Sequence, residues 1–263
     1  MADTPSSPEP IPPQPVPEPV SEDGLLVRRH RLSTRLWHWL NAVTLYVLFT
    51  SGLGIFNAHP RLYWGEYGAN FDPAWLEPGR FSGWLTLPAH YSLALSRRWH
   101  LSFALVLGFS LLAYMLWSLL NRHIARDLAF RRGELKPRHV WREIRGHARL
   151  RFPTGAAARR YNVLQKASYI GVIFMLLPLM ILTGLTMSPG MNAVLPWLTD
   201  LFGGRQSARS IHFILAWTLV AFFVVHIVMV IVAGPFNEIR SMITGWYRLP
   251  GAKTGAKRGG ERP

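Results

Sequence analysis

The sequence predicts an all-α integral membrane protein in which four helices form one bundle. Hydrophobic residues occupy 49% of its 263 positions and charged residues only 16%, whereas about a quarter of a soluble domain is charged. Four apolar stretches are each long enough to cross a bilayer as a helix, which takes about 20 residues. We therefore expect spans at residues 36–56, 99–120, 167–187 and 209–232.

Two low-complexity ends flank this membrane domain. Residues 1–27 are Pro-rich and lack the apolar core of a signal peptide, so we expect a disordered tail. The membrane domain covers residues 28–250. Residues 251–263 are basic and Gly-rich and are expected to form a second disordered tail.

The connections between the spans differ in composition. Residues 57–97 are rich in Trp, Tyr and Pro, which is typical of the membrane–water interface. Residues 121–160 are strongly basic, and we expect them to set the orientation and to meet anionic lipid. This connection, the N-terminal basic run and the basic tail all fall on one side of a four-span protein. The positive-inside rule therefore predicts that both termini are cytoplasmic.

Composition also excludes several classes of function. A net charge of +15 would suit nucleic-acid binding, but the basic residues lie between apolar spans, so we expect no nucleic-acid partner. The chain has no cysteine, which excludes disulfides, iron–sulfur clusters, covalent c-type haem attachment and thiol catalysis. Any redox cofactor must then be held by His, Met or carboxylate side chains.

Four histidines lie inside the predicted spans at two depths. His212 and His226 are fourteen residues apart, which is about 21 Å along a helix axis and leaves them within about 40° of one face. His38 opens the first span, and His100 opens the second span, which runs in the opposite direction. His38 therefore shares the cytoplasmic layer with His226, and His100 shares the outer layer with His212.

Two facing imidazoles suit the two axial positions of a haem iron, and helix bundles build cofactor sites in their cores from facing helices. The sequence thus predicts cofactors in the bundle core: two haems about 20 Å apart, bound by His38 with His226 and by His100 with His212. A lone histidine near a helix end is more often an interfacial residue, so the joint pattern of four favours ligation. Because both axial positions are filled, we expect outer-sphere electron transfer and assign no catalytic side chain.

Three arginines lie near these positions: Arg35, Arg98 and Arg209. They are candidates to bind haem propionates, because a guanidinium matches a carboxylate bidentately. Topology signals or snorkelling explain the same positions equally well, so both interpretations stay open. In addition, Pro178 predicts a kink in the third span, and Gly52 with Gly54 would allow close packing or cofactor approach.

Three segments carry a family resemblance: TRLWHWLN at 34–41, RRWHLSFA at 97–104 and HFILAWTLVAFFVVH at 212–226. They resemble the prokaryotic cytochrome b561 family, and NEIRSMITGWYRL at 237–249 is similar to its thiosulfate-reductase-type branch. The resemblance covers about residues 28–250. It implies two non-covalent b haems with the same four histidine ligands, and quinone or quinol exchange near one haem.

The same resemblance implies a role in respiratory electron transport in the bacterial inner membrane. Members of the family anchor a redox enzyme, often a periplasmic molybdenum or hydrogenase unit. We therefore expect an electron-transfer subunit rather than an independent catalyst. The long 57–97 connection departs from the shortest family members and suggests a docking surface on the outer face.

Two alternatives remain open at this point. A stand-alone enzyme of the same fold, such as a quinone-reducing superoxide oxidase, would show superoxide-dependent haem reduction. A non-redox membrane protein, such as a transporter or a sensor scaffold, would show no haem spectrum.

Overall fold

The computed structural model describes residues 25–121, 130, 134, 136–148 and 163–248. The expectations for the Pro-rich residues 1–24, for most of the basic connection and for the basic residues 251–263 lie outside the described residues.

The described residues form helices of two kinds. Four are long and apolar enough to cross a membrane, which confirms the all-α, multi-pass membrane fold. The four are α1 (Leu32–Phe56), α2 (Leu93–Leu120), α4 (Val163–Thr186) and α7 (Arg205–Ala233). The shorter helices are α3 (Pro137–Ala148), α5 (Pro189–Val194), α6 (Trp197–Leu201) and α8 (Pro235–Thr244).

Every long helix begins four to six residues before the predicted span. Hydropathy marks where the hydrocarbon begins, whereas a helix continues through the interface with a polar first turn. The helix α1, for example, starts with the polar residues Ser33, Thr34 and Arg35 soon after Leu32.

The bundle is built from two tightly packed helix pairs, α1 with α2 and α4 with α7. A buried cluster of Leu111, Ile173 and Leu177 joins α2 to α4. On the outside of α7, large apolar side chains such as Phe223 and Val225 are exposed. An apolar outer surface of this kind is suited to lipid contact.

A π-helical segment, Gly171–Leu176, interrupts α4 just before Pro178. Proline lacks a backbone N–H and its ring clashes with the preceding turn, and a π-bulge is one way in which a helix departs from regular geometry. The change in helix type therefore occurs where the sequence predicts a kink.

The two connections on the outer side are ordered. Residues 57–92 contain a single bridge between Leu62 and Leu76 and a 3₁₀ turn at Gly83–Leu85. Residues 188–206, expected to be a loop, contain α5 and α6. Pro189 is the first residue of α5, a position that proline favours because its missing N–H costs nothing there.

A two-stranded antiparallel sheet joins the two ends of the described chain. Strand β1 (Leu26–Arg28) pairs with β2 (Trp246–Arg248), and Val27 lies opposite Tyr247. Order therefore begins inside the segment assigned to the N-terminal tail. The sequence does not predict this strand, because a three-residue strand with so distant a partner is too short to show the alternation of polar and apolar residues.

Candidate cofactor site: two histidine pairs

The structure brings the four intramembrane histidines together in two pairs. His38 of α1 faces His226 of α7, and their ring centroids are 6.3 Å apart. His100 of α2 faces His212 of α7, again at 6.3 Å. We name these the inner pair and the outer pair, after the predicted orientation. They are the two pairs that the depth argument predicts.

The separation fits one metal ion between each pair of rings. A metal–imidazole bond is about 2.0–2.1 Å long, and the centroid of a five-membered ring lies roughly 1.15 Å behind its nitrogen if the ring bonds are about 1.33 Å. Two rings that bind one ion from opposite sides would therefore have centroids about 6.4 Å apart. Among the described residues, no group of three or more His, Asp or Glu side chains can hold a metal ion. A haem needs only two protein ligands, so the residues present fit a haem.

Hydrogen bonds fix the tautomer of His100 in the outer pair. Its Nδ1 lies 3.0 Å from the carbonyl oxygen of Leu48 and 3.2 Å from Oγ of Ser51. A carbonyl oxygen only accepts, so Nδ1 carries the proton and donates it. The lone pair of Nε2 is then free for a metal, which is the usual arrangement for a metal-binding histidine.

His212 is held in the same way. Its Nδ1 lies 2.9 Å from Oγ1 of Thr183, and that hydroxyl donates its own proton to the carbonyl oxygen of Leu179 at 2.7 Å. The hydroxyl oxygen is therefore the acceptor from Nδ1 of His212. Thr183 is fully buried, so water does not compete for this bond.

A glycine follows each of these hydroxyl residues and lies against the same imidazole. A Cβ at Gly52 would be 3.4 Å from Cε1 of His100, and one at Gly184 would be 3.5 Å from Cε1 of His212. Ser51–Gly52 and Thr183–Gly184 thus support the outer pair from two different helices. Sequence reasoning noted Gly52 but missed the other three. A hydroxyl residue followed by glycine within an apolar span is the signal that could have found them.

An aromatic ring lies against each histidine of the inner pair. Trp39 lies edge-on to His38 at 5.2 Å, and Phe222 is nearly parallel to His226 at 6.2 Å. Nδ1 of His38 is buried and has no hydrogen-bond partner among the described residues. The inner pair therefore has less hydrogen-bonded support than the outer pair.

The three candidate arginines lie in different surroundings. Arg209 donates from Nη1 to the carbonyl oxygen of Arg61 at 2.9 Å and from Nη2 to that of His59. Arg35 lies beside Gly245, and its buried Nε has no partner within the described part of the chain. Arg98 is exposed. Propionate binding by the three arginines remains a prediction. Two donors of Arg209 are already hydrogen-bonded to backbone carbonyl oxygens.

The outer connection is attached to the start of α7, about one helical turn before His212. The backbone N–H of Gly65 donates to Oγ of Ser207 at 2.7 Å, and the N–H of Ser207 donates back to Gly65 at 3.2 Å. Oγ of Ser210 donates to the carbonyl oxygen of Tyr63 at 2.6 Å. The sequence predicts only an interfacial segment here, because these contacts depend on tertiary structure.

Four membrane-crossing helices with facing imidazole pairs at two depths define a class of protein, the membrane cytochromes. The family model for prokaryotic cytochrome b561 matches residues 29–245. The chain belongs to the prokaryotic cytochrome b561 family and is a membrane b-type cytochrome of the hydrogenase and reductase subunit type. Membership implies haem b and favours the redox interpretation over a transporter or a sensor scaffold.

Several bacterial relatives carry names of the same kind. A protein of Cupriavidus necator, whose name assigns it as the B-type cytochrome subunit of a Ni/Fe-hydrogenase, is 25% identical over 225 residues, which are 81% of this chain and 83% of that protein. A protein of Azotobacter vinelandii with the same assigned name is 25% identical over 223 residues, 81% of this chain and 84% of its own length. A third relative, from Azospira oryzae, is assigned by name as a protein-methionine-sulfoxide reductase subunit and is 27% identical over 196 residues, which cover 74% and 86% of the two chains.

Proposed function

We propose that this chain is a di-haem cytochrome subunit that transfers electrons between the quinone pool and a partner oxidoreductase. In this proposal His38 and His226 hold the inner haem, and His100 and His212 hold the outer haem. The observation that supports it best is the equal 6.3 Å separation in the two pairs, because each separation fits one axially bound iron.

The helix α7 contributes to both proposed haem sites. It supplies one histidine to each pair, and the two are about 21 Å apart along its axis. Each bound haem would supply reversible one-electron uptake. With both imidazoles of a pair holding the haem, no position would remain on the metal for a substrate. The chain thereby restricts the chemistry to electron transfer.

Haem counting tests the ligand assignment. We expect two b haems per purified chain by pyridine haemochrome, and one after either His226→Ala or His212→Ala. His90→Ala is the matched control, because His90 is exposed and belongs to neither pair; it should retain both haems. A colourless wild-type protein, or unchanged haem content in both ligand variants, would contradict the proposal.

We place the chain in the bacterial inner membrane with both termini in the cytoplasm. At the end that holds the inner pair, the described basic residues greatly outnumber the acidic ones. They include Arg28, Arg29, Arg31, Lys136, Arg138, Arg142, Arg145, Arg240 and Arg248. The outer connection has nearly balanced charges: Arg61 and Arg80 oppose Glu66, Asp72 and Glu77. This asymmetry supports a cytoplasmic location for the inner pair.

The partner is proposed to be a periplasmic redox enzyme of the hydrogenase or molybdenum type, docked on the outer connection. The names of the relatives support an enzyme partner. The exposed aromatic residues of the outer connection support docking there. Tyr67 is 89% and Phe71 101% exposed, although hydrogen bonds attach the connection to α7. Exposed aromatic anchors of this kind commonly dominate protein interfaces.

Substitution of these anchors tests the docking surface without disturbing the haems. Tyr67→Ser with Phe71→Ser should weaken capture of the native partner from the source membrane while both haems remain. Phe236→Ser is the control, because Phe236 is 91% exposed at the opposite end of the bundle. Undiminished capture by the double variant would move the docking surface elsewhere.

Quinone exchange is proposed to occur beside the inner pair. Apolar side chains next to His226, such as Val225 and Ile227, are exposed, which supports this location because a lipid-soluble quinone approaches such a surface from the bilayer. If electrons enter there, quinol should still reduce the inner haem rapidly in His212→Ala. In His226→Ala, quinol reduction of the remaining outer haem should be lost. The reverse pattern would place the exchange site at the outer haem.

A further inference from the structure

The helix α3 has one apolar face and one basic face. Its apolar face contains Val140, Trp141 and Ile144, which recur at the spacing of one side of a helix. The opposite side and the flanks contain Arg138, Arg142 and Arg145, with Glu143 as the one acidic residue of the helix. The separation of the two faces is thus nearly complete along the helix, a pattern typical of helices that lie in the plane of a membrane surface.

This apolar face is open in the folded chain. Trp141 is 59% exposed and Ile144 is 40% exposed. A soluble protein would leave such a face uncovered only at a cost, because removal of apolar surface from water is favourable. The guanidinium of Arg145 lies 5.7 Å from the centre of the Trp141 ring, so a cation flanks the apolar face.

The position of α3 in the bundle sets its depth. It packs against the start of the membrane-crossing helix α4. Glu134, three residues before α3, accepts from Nζ of Lys166 at 2.9 Å, and Lys166 belongs to the first turn of α4. These contacts hold α3 close to the level at which α4 enters the membrane.

A second helix at the same end supports this level. In α8, Phe236 and Ile243 are exposed by 91% and 59%, whereas Glu238 on another side binds Arg29 at 3.1 Å. The apolar side of α8 is thus open while its polar side faces the protein. Two helices with uncovered apolar faces at one end of the bundle are consistent with a lipid surface there.

We propose that α3 is a binding site for anionic phospholipid headgroups, with Trp141 and Ile144 inserted among the acyl chains and Arg138, Arg142 and Arg145 bound to phosphate. The three arginines provide the charge complementarity, because a guanidinium binds phosphate bidentately. Each cation near an anionic membrane adds to the attraction. This site depends on the membrane fold and not on the proposed electron transfer.

The absence of cysteine from the chain permits a direct test with single-cysteine variants. Ile144→Cys places a fluorescent label on the apolar face. Gly146→Cys is the matched control on the opposite side of the same helix, where an added Cβ meets nothing within 4 Å. Each labelled full-length protein is placed in nanodiscs of phosphatidylcholine alone or of phosphatidylcholine with phosphatidylglycerol. Quenching by acrylamide, which is neutral and soluble in water, is then measured.

With phosphatidylglycerol present, we expect the label at 144 to emit at shorter wavelength and to be quenched several-fold less than the label at 146. Substitution of the three arginines by Gln should remove the difference between the two lipid compositions. Haem content measured on the same samples reports whether each variant is folded.

Three outcomes would overturn the proposal. Equal quenching at the two positions in anionic nanodiscs would show that α3 does not insert. Shielding at 144 that is independent of lipid charge would show insertion without headgroup binding. Shielding that appears only when the partner enzyme is added would make α3 a protein-docking helix.

Discussion

Nδ1 of His212 donates to the hydroxyl oxygen of Thr183 across 2.9 Å in the buried interior of the bundle. The hydroxyl is committed as an acceptor, because its proton is donated to Leu179. His100 is bound through Nδ1 to Leu48 and Ser51. Hydrogen bonds from Nδ1 to a neighbouring helix therefore orient both rings of the outer pair. In contrast, Nδ1 of His38 has no such partner among the described residues.

Loss of the Thr183 hydroxyl should change the redox potential of the outer haem alone. A hydrogen bond from the distal nitrogen makes an imidazole a stronger ligand, which favours the more positively charged oxidised iron. Thr183→Val should therefore raise one of two midpoint potentials, by about 60 mV for each tenfold loss of relative affinity for the oxidised iron. A redox titration followed by haem absorbance measures both potentials.

Thr186→Val is the control for this experiment. Thr186 is on the same helix, is equally buried and donates only to the carbonyl oxygen of Leu182. Its replacement should leave both potentials unchanged. Equal shifts in the two variants would show that the effect comes from general packing.

The close approach of α1 and α2 should make Gly54 intolerant of a side chain. A Cβ at Gly54 would lie 2.3 Å from Oγ of Ser96 and 3.0 Å from its Cβ. We expect Gly54→Ala to reduce the free energy of unfolding by about 1–3 kcal/mol, the usual cost of overpacking. Thermal unfolding in detergent, followed by circular dichroism, measures the change. Gly108→Ala in α2 meets nothing within 4 Å and should be neutral or slightly stabilising.

The attachment of the outer connection should fail in Gly204→Ala. Gly204 has a φ of +107°, and a Cβ there would lie 2.4 Å from the backbone of Gly65. Backbone atoms cannot move aside as a side chain can, so we expect the bonds from Gln206 and Ser207 to Gly65 to break. Hydrogen exchange at these two amides should accelerate.

The comparison variant for Gly204 is Gly190→Ala. Gly190 lies in the short helix α5, and an added Cβ there meets nothing within 4 Å. Exchange at the amides of Gln206 and Ser207 should keep its wild-type rate in this variant. Unchanged exchange in Gly204→Ala as well would mean that the connection is not held by these bonds.

Protonation of His30 should loosen the strand pair at low pH. Burial, with the neighbouring charges of Arg29 and Arg35, lowers the pKa of His30 from 6.5 to about 4. The folded state therefore binds fewer protons than the unfolded state between these values. The stabilisation is complete above about pH 6.5 and is lost as the pH falls toward 4.

Protection factors of the Arg29 amide, which donates to Gly245 at 2.9 Å, report this loss. They should fall between pH 6.5 and 4 in the wild type. They should vary much less in His30→Asn, whose side chain does not titrate. A wild-type profile as flat as that of the variant would contradict the prediction.

The histidine pairing was predictable because helix rise and direction alone fix the depth of each residue. His212 and His226 are fourteen residues apart in any regular helix, and the alternation of spans assigns His38 and His100 to their layers. None of this requires knowledge of side-chain packing. The predicted spans begin four to six residues after the helices do, because hydropathy detects the residues in the hydrocarbon core and not the helical residues in the interface.

The support around the histidines depends on tertiary contacts and was not predictable from local pattern. Thr183 and Ser51 are ordinary polar residues within their own helices, and only the neighbouring helix turns them into acceptors for an imidazole. The same holds for the contact between Gly204 and Gly65. Arg209 illustrates the limit well: two of its donors bind carbonyl oxygens of the outer connection, and its spacing from His212 does not reveal these contacts.

The pairing of Val27 with Tyr247 bears on how the protein is made. Strand β1 precedes all four membrane-crossing helices and strand β2 follows the last of them, so this sheet cannot form until the last of these helices has been synthesised. Until that moment the end of the bundle near His38 lacks the sheet, and we expect a haem to enter the inner pair more readily before the strands join than after.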